Sequence, residues 1–270
     1  MSKSAISKKM SDLEERLGLQ LCIRGRGGFS LTEDGKVVYS NAAQLFASVE
    51  DFRANVNALH GVVSGTLSLG FIDTIVTNSG SRLHKALQRY ASLYPDVNLS
   101  LMTGSAAEID RRVTDRTIHL GVSTHNPTLE NVLSLALFNE QSRLYCAAGH
   151  SLFERVEDAS IEELAQHRFV QHGYSDAEQT SLSRIGAHPT ATAHFTEDVL
   201  FLVLTGSFLG FLPVHFASSF EAEGLIKPVL ADAVVKQTQI NLIVNKLSLK
   251  NAMVARFVDI VGTLPQASAG

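Results

Sequence analysis

From Val38 to Leu59 apolar side chains recur at alternating spacings of four and three: Val38, Ala42, Leu45, Val49, Phe52, Val56 and Leu59. That repeat predicts an α-helix with one narrow apolar seam. Thr32 supplies an N-cap, and Glu33 and Asp34 supply an acidic first turn, where the helix dipole favours anions. Gly61 and Gly65 mark the exit. Such a helix is about 40 Å long at 1.5 Å per residue. A core helix of a single domain could carry the same spacing, but the narrow seam and the glycine exit favour packing against a helix of a second copy. The chain is thereby split into a short front and a long body.

The two parts differ in charge. Residues 1–28 hold Lys3, Lys8, Lys9, Arg16, Arg24 and Arg26 against Asp12, Glu14 and Glu15, a net +3 in a chain of net −4, so the remainder is −7. A basic front on an acidic body points to a polyanion partner for the front alone; a merely solvated basic terminus is the plainer alternative on charge. The front opens on "SAISKKMSDLEERLG". Ile6, Met10, Leu13 and Leu17 form one apolar helical stripe, and Ser4, Ser7, Lys8 and Ser11 lie opposite. Gly18 ends the helix as a C′ residue. Two short runs, Leu19–Ile23 and Phe29–Leu31, then flank the turn Gly25-Arg26-Gly27-Gly28 and predict a hairpin with Arg24 and Arg26 at its tip. A helix that buries its stripe can offer its serine-and-lysine flank to a major groove, N-terminal end first, with the hairpin as a wing on the adjacent backbone.

After Gly65 the pattern alternates. "TLSLGF", "VNLSLMT", "IHLGVS", "RLYCAA", "RFVQH", "ATAHF", "FLGFLP" and "INLIVN" suit strands. Helical spacing appears at Leu83–Tyr90, Ala106–Val113, "IEELAQH", Ala177–Ile185, from Glu197, and over Ser248–Thr263. This alternation predicts parallel sheets with helices on both faces.

Enzyme signatures are missing: the chain has no G-x-S-x-G, Walker A, G-x-G-x-x-G or H-E-x-x-H. The ten histidines are scattered and Cys22 and Cys146 stand far apart, so neither a metal site nor a disulfide framework is expected, and no cofactor. No apolar run is long enough for a membrane span and no signal peptide is evident, which makes a reducing cytoplasm the default.

The stretch "SAISKKMSDLEERLGLQLCIRGRGGFSLTEDG" resembles the recognition helix, wing and linker-helix start of LysR-type transcriptional regulators. The agreement runs through Ser4-Ala5-Ile6-Ser7, Leu13-Glu14, Leu17-Gly18, Leu21, Arg24, Leu31-Thr32 and Gly35. "AAGHSLF" and "FLGFLP", with its Pro213, extend the likeness into the body. The resemblance implies an α/β protein: a partial winged helix-turn-helix (residues 1–31), a long dimerising linker helix (32–60), then an effector-binding domain (65–270). That domain would comprise two α/β subdomains of periplasmic-binding-protein type, the first at 65–124 and 238–265, the second at 127–237. Three departures stand out: Lys3 where glutamine is usual, Cys22 for phenylalanine and His119 for aspartate. Lysine favours guanine or phosphate where glutamine would pair with adenine. Family members also place two helices before the recognition helix, whereas Met1 falls at the turn just ahead of it. The expectation is an N-terminally shortened chain whose stripe lacks part of its packing partner and whose DNA binding is impaired.

In such folds ligands sit beyond the carboxyl ends of strands, near helix N-termini. The candidate effector residues there are Asp73, Thr74, Thr103, Ser105, Thr124, His172, Tyr174, Thr196 and Glu197, with a helix cap as the plainer alternative for each and about as good a reading for Thr74 and Ser105. Hydroxyls and helix-start N–H groups suit a small carboxylate, and Asp73, His172 and Glu197 suit a ligand that also carries a donor. The DNA-binding candidates are Lys3, Ser4, Ser7, Lys8, Ser11, Arg24 and Arg26, and the seam candidates are Val38, Leu45, Val49, Phe52, Val56 and Leu59. The reading is a ligand-responsive regulator that binds double-stranded DNA as a homodimer or homotetramer and has no enzymatic activity. A small-molecule-binding protein of the same fold without DNA function is the alternative, and an enzyme on this fold a distant third.

Overall fold

The computed structural model describes residues 2–25, 28–124, 131–173, 182–183 and 185–264; at Lys3, Arg24, Gly25 and Gly28 it describes the backbone alone. Helix α1 (Lys3–Leu17) starts on Ser2, whose side chain accepts from the Ala5 N–H, and stops at Gly18 in the left-handed region, φ 64°. The Glu14 carboxylate accepts from the N–H groups of Leu21 (2.7 Å) and Cys22 (3.0 Å), which ties α1 to the hairpin. Strands β1 (Cys22–Gly25) and β2 (Gly28–Leu31) pair antiparallel, as expected for a wing. Arg26 and Gly27 at its tip lie outside the described residues.

Thr32 caps α2 (Glu33–Leu59) by accepting from the Gly35 N–H. The same hydroxyl donates to the Gln20 carbonyl at 2.6 Å, so one side chain fixes both the helix start and the wing. A Cβ on residue 35 would stand 2.0 Å from the Leu21 carbonyl oxygen, so this crossing admits only glycine.

The body is built on a mixed sheet. Strand β3 (Gly65–Phe71) pairs in parallel with β4 (Val97–Thr103) and β5 (Leu120–Ser123). Helix α3 (Leu83–Leu93) follows β3 and α4 (Ala106–Thr114) follows β4. Two long strands, β6 (Val132–Ala147) and β11 (Val235–Asn245), run antiparallel to each other through both subdomains, and β11 closes against β5. Around the far half of β6 lie β7 (Phe169–His172), β8 (Pro189–Ala193), β9 (Gly210–Pro213) and β10 (Ile226–Pro228), with α5 (Ile161–Leu164), α6 (Thr196–Leu204) and α7 (Val214–Ala222). Strands β9 and β10 pair antiparallel with β6, and β7 pairs in parallel with β8. Helix α8 (Ala252–Thr263) closes the described chain.

Helices do cover both faces of the first subdomain. Tyr90 of α3 and Phe257 of α8 meet edge to face at 5.4 Å over Leu67, Leu69, Leu120 and Leu242, and the Tyr90 hydroxyl donates to the Met253 carbonyl. On the other face Ile109 and Val113 of α4 pack on Ile243. A Cβ at Gly121 would lie 2.6 Å from the Ile109 side chain, so this glycine lets α4 sit directly on the sheet. The second subdomain has its own core, with Val199, Leu200 and Val203 of α6 and Ala217 of α7 against Tyr145 and Leu212.

Several expectations need correction. The sheets are not purely parallel, because β6 and β11 are return strands that carry the chain between subdomains. Only the end of β6 read as a strand: its middle, Asn139 to Ser142, is polar because Glu140 and Ser142 face the cleft between subdomains. The segment "IEELAQH" forms a single helical turn, Ile161–Leu164. The predicted C-terminal helix is broken: Ser248–Lys250 is a 3-10 turn and Asn251, in extended conformation, caps α8. Helix α7 and strand β10 had no expectation behind them. The helix expected at 177–185 falls largely outside the described residues. On β4 the alternation weakens outward: Val97 is buried but Leu101 is half exposed, because β4 is the sheet edge.

Candidate functional site

The mutual ends of the strands enclose a cleft of about 120 Å³ between the subdomains. The first subdomain contributes Ile72, Asp73 and Thr74 after β3, Gly104, Ser105, Ala106 and Ala107 at the start of α4, and Thr124 after β5. The through-running strands contribute Glu140, Ser142 and Lys236. The second subdomain contributes His172 and Gly173 after β7, His194 and Thr196 at the start of α6, and Phe211 and Pro213 of β9. Of the expected effector residues, Asp73, Thr74, Ser105, Thr124, His172 and Thr196 meet here. Thr103 and Glu197 do not line the cleft: Thr103 is an exposed end residue of the β3–β4 ladder, and Glu197 is exposed in the first turn of α6. Tyr174 lies outside the described residues.

Among the described residues, Asp73 and His215 each make contacts that join the two subdomains. Helix α6 begins after Phe195, which has no capping side chain, and the Thr196 N–H donates instead to the Asp73 carboxylate. On α7, His215 faces Glu140 Oε2 through Nε2 at 2.9 Å and Thr77 Oγ1 through Nδ1 at 2.8 Å. Thr77 Oγ1 also donates to the Thr74 carbonyl at 2.8 Å, so the loop after β3 is held at both ends. Thr74 itself sits at φ 61°, a strained position for a β-branched residue and a common mark of binding sites. On the opposite wall, Ser105 caps α4 by accepting from the Glu108 N–H, which leaves the N–H groups of Ala106 and Ala107 at the positive end of the helix.

Glu140, Ser142, Lys236, His194 and Phe211 were not foreseen. A signal existed for Glu140: a carboxylate in register with the buried Phe138 and Leu144 on an alternating strand must either be paired or face a site. It is 8% exposed and does both.

At the front, Ser4, Lys8 and Ser11 are exposed and Ser7 is half buried. The side chains of Lys3, Arg24 and Arg26 lie outside the described residues. The other flank of α1 departs from expectation: Ile6, Leu13 and Leu17 are exposed and Met10 half buried. No described element covers that flank, since α1 is held through Glu14 and the Gly18 turn. On α2, Leu45, Val49, Phe52 and Leu59 of the seam are exposed, with Val38 and Val56 half buried. The opposite face of α2 docks on the body: Asp51 pairs with Arg116 and accepts from Asn251 Nδ2 at 2.7 Å, and Asn55 Oδ1 accepts from the Ala252 N–H.

His119 stands immediately before β5, beside Ser68 of β3. Its Nδ1 accepts from the Ser68 N–H at 3.0 Å, and burial, which outweighs the opposing pull of the Asp51 carboxylate, lowers its pKa from the usual 6.5. Burial depresses His150 likewise, helped by His167. Unfolded, both would titrate near 6.5, so the unfolded chain binds more protons in acid. Their contribution to stability is full above that value and is lost as pH falls below it, at up to about 1.4 kcal/mol per pH unit for each proton. Urea midpoints of wild type and His119→Gln at pH 7 and pH 5 should therefore converge in acid, the variant losing less stability; parallel loss would contradict this assignment.

Residues 60–265 match the LysR substrate binding domain, and residues 1–36 match the bacterial regulatory helix-turn-helix protein, lysR family. The transcriptional activator BauR of Pseudomonas aeruginosa is 35% identical over 262 residues, covering 97% of this chain and 86% of BauR. Among solved structures, the regulator CbnR bound to its target DNA superposes with a TM-score of 0.65 at 19% identity, over 97% of this chain and 90% of CbnR. CrgA from Neisseria meningitidis does so with 0.58 at 22%, over 97% and 90%. These two show the shared fold. The two domain matches together span both the basic front and the cleft-bearing body, and with BauR they show that the chain belongs to the LysR family of transcriptional regulators.

Proposed function

We propose that this regulator binds a small carboxylate in the cleft and translates its occupancy into the placement of paired α1 helices on DNA. The observation that carries the reading is the convergence of Ser105, Thr124, Ser142 and Thr196 with the first N–H groups of α4 at the ends of the strands. Cleft occupancy would shift the balance between two subdomain arrangements. The register shift of β11 between Ile240 and Asn241 supports placing the crossing back to the first subdomain near there, with units at 1–31, 32–60 and 65–270. Ser4, Ser7, Lys8 and Ser11, with Lys3, Arg24 and Arg26, are the proposed DNA contacts. The exposed α2 seam is the proposed homodimer contact, from which a homotetramer can be built, acting in the cytoplasm. No described helix is long and apolar enough to cross a membrane.

The test is fluorescence anisotropy with a duplex taken from the promoter region beside the gene, over a range of salt. Affinity should fall linearly on a log–log plot, by about 0.9 in slope for each phosphate neutralised. Lys8→Ala should lower the slope by about one and weaken all duplexes alike. Affinity that does not change with salt would remove the proposed contact.

A further inference from the structure

The cleft has two chemically opposite walls. On one, the N–H groups of Ala106 and Ala107 have no acceptor among the described residues, because the next two N–H groups take Ser105 Oγ and the Ser105 carbonyl. On the other stand two carboxylates. Asp73 uses Oδ2 to cap α6, and Glu140 uses Oε2 to meet His215. Asp73 Oδ1 and Glu140 Oε1 accept no hydrogen bond among the described residues, although the Glu140 side chain is only 10% exposed. Neither oxygen is sealed from the cleft, so each can accept from a donor on a ligand there.

The second helix start in the cleft is already taken. A ligand with a carboxylate at each end would need the N–H of Thr196, but Asp73 occupies it. Its second carboxylate would also lie against two like charges, a built-in penalty. An ammonium in that place would gain from both. We infer that the effector is a short monocarboxylate bearing an amino group, and that Asp73 is the residue that excludes dicarboxylates. The carboxylate sits at the start of α4, and the amine lies between Asp73 and Glu140. The free volume of about 120 Å³ keeps the ligand short. This inference rests on reading the cleft as the effector site.

Isothermal titration calorimetry on the full chain decides it. The probes are straight-chain α- and ω-amino acids of two to five carbons, the diacids of matching length, and the monocarboxylates lacking the amine. At least one amino acid should bind, tenfold or more tighter than its diacid and its deaminated counterpart. Asp73→Asn keeps an oxygen to accept from Thr196 and so should fold; in it the diacid should come within about threefold of the amino acid. Glu140→Gln should lose amine preference without gaining the diacid to the same degree. A diacid that binds wild type as tightly as the amino acid overturns the inference, as does unchanged selectivity in Asp73→Asn or a series in which no amino acid binds. None of these outcomes touches the salt dependence of DNA binding, which tests the regulator reading separately.

Discussion

Replacing Arg116 with alanine is expected to destabilise the docking of α2 on the body by about 3–5 kcal/mol, the cost of leaving a partner charge buried and alone. Arg116 and Asp51 have side chains only 13% exposed and meet through Nη2 and Oδ2. Asp51 is also the acceptor for Asn251, a fully buried residue that caps α8 with its own Oδ1, so the loss would spread to the start of that helix. Arg116 further donates to Ser48 Oγ on α2 at 3.3 Å. The effect should be read as hydrogen exchange at α2 amides together with urea denaturation. Pairing Arg116→Ala with Asp51→Asn should cost less than the sum of the two single changes, since no unpaired carboxylate then remains. Strict additivity, or a loss below 1 kcal/mol, would mean that solvent compensates the pair. The connection matters because α4 starts at the cleft and ends one residue before the turn that carries Arg116.

The second large effect concerns self-association. Leu45→Glu combined with Phe52→Glu should convert a dimer into monomers at micromolar concentration, as measured by sedimentation. Leu45 is 64% and Phe52 69% exposed on a single chain, and burying each side chain on association is worth about 1.5–3 kcal/mol. Two carboxylates in the seam would remove that gain and add a desolvation cost. DNA affinity should fall by a factor of about 100 or more, because linked half-site contacts depend on a bivalent protein. The double variant should keep wild-type ligand binding in the cleft, which no residue of α2 lines. A wild type that sediments as a monomer, or a variant that stays dimeric, would show that α2 serves another partner.

The legible parts of this fold share one property: their cause lies within a few residues. Thr32 caps α2 through the N–H three positions on, and Gly18 ends α1 because only the left-handed region turns the chain there. The heptad spacing of 38–59 predicted both the helix and its exposed seam, since one helix face is set by spacing alone. Pro213 of "FLGFLP" and the hydroxyl residues after β3, β4 and β5 reached the cleft because strand ends reach it in any two-subdomain α/β protein.

What failed had causes far along the chain. Thr103 and Glu197 satisfy the same local rule as Ser105 and Thr196, and only the orientation of each strand end separates them from the cleft. The α1 stripe read as inward because apolar spacing marks a face that wants cover, and spacing cannot say whether cover is present. The polar middle of β6 hid a strand of sixteen residues, because side chains that line a cleft break the apolar alternation that identifies strands.

Residue order by itself settled α1 and α2, their ends at Gly18 and Thr32, the β1–β2 hairpin and the family, since each depends on neighbours or on fixed offsets. Tertiary structure alone decided the chemistry of the cleft. Asp73 meets Thr196 across 123 residues and Glu140 meets His215 across 75, and no local pattern encodes which distant groups will compete for a helix start. The position of those two carboxylates, rather than their presence, is what the proposed ligand selectivity rests on.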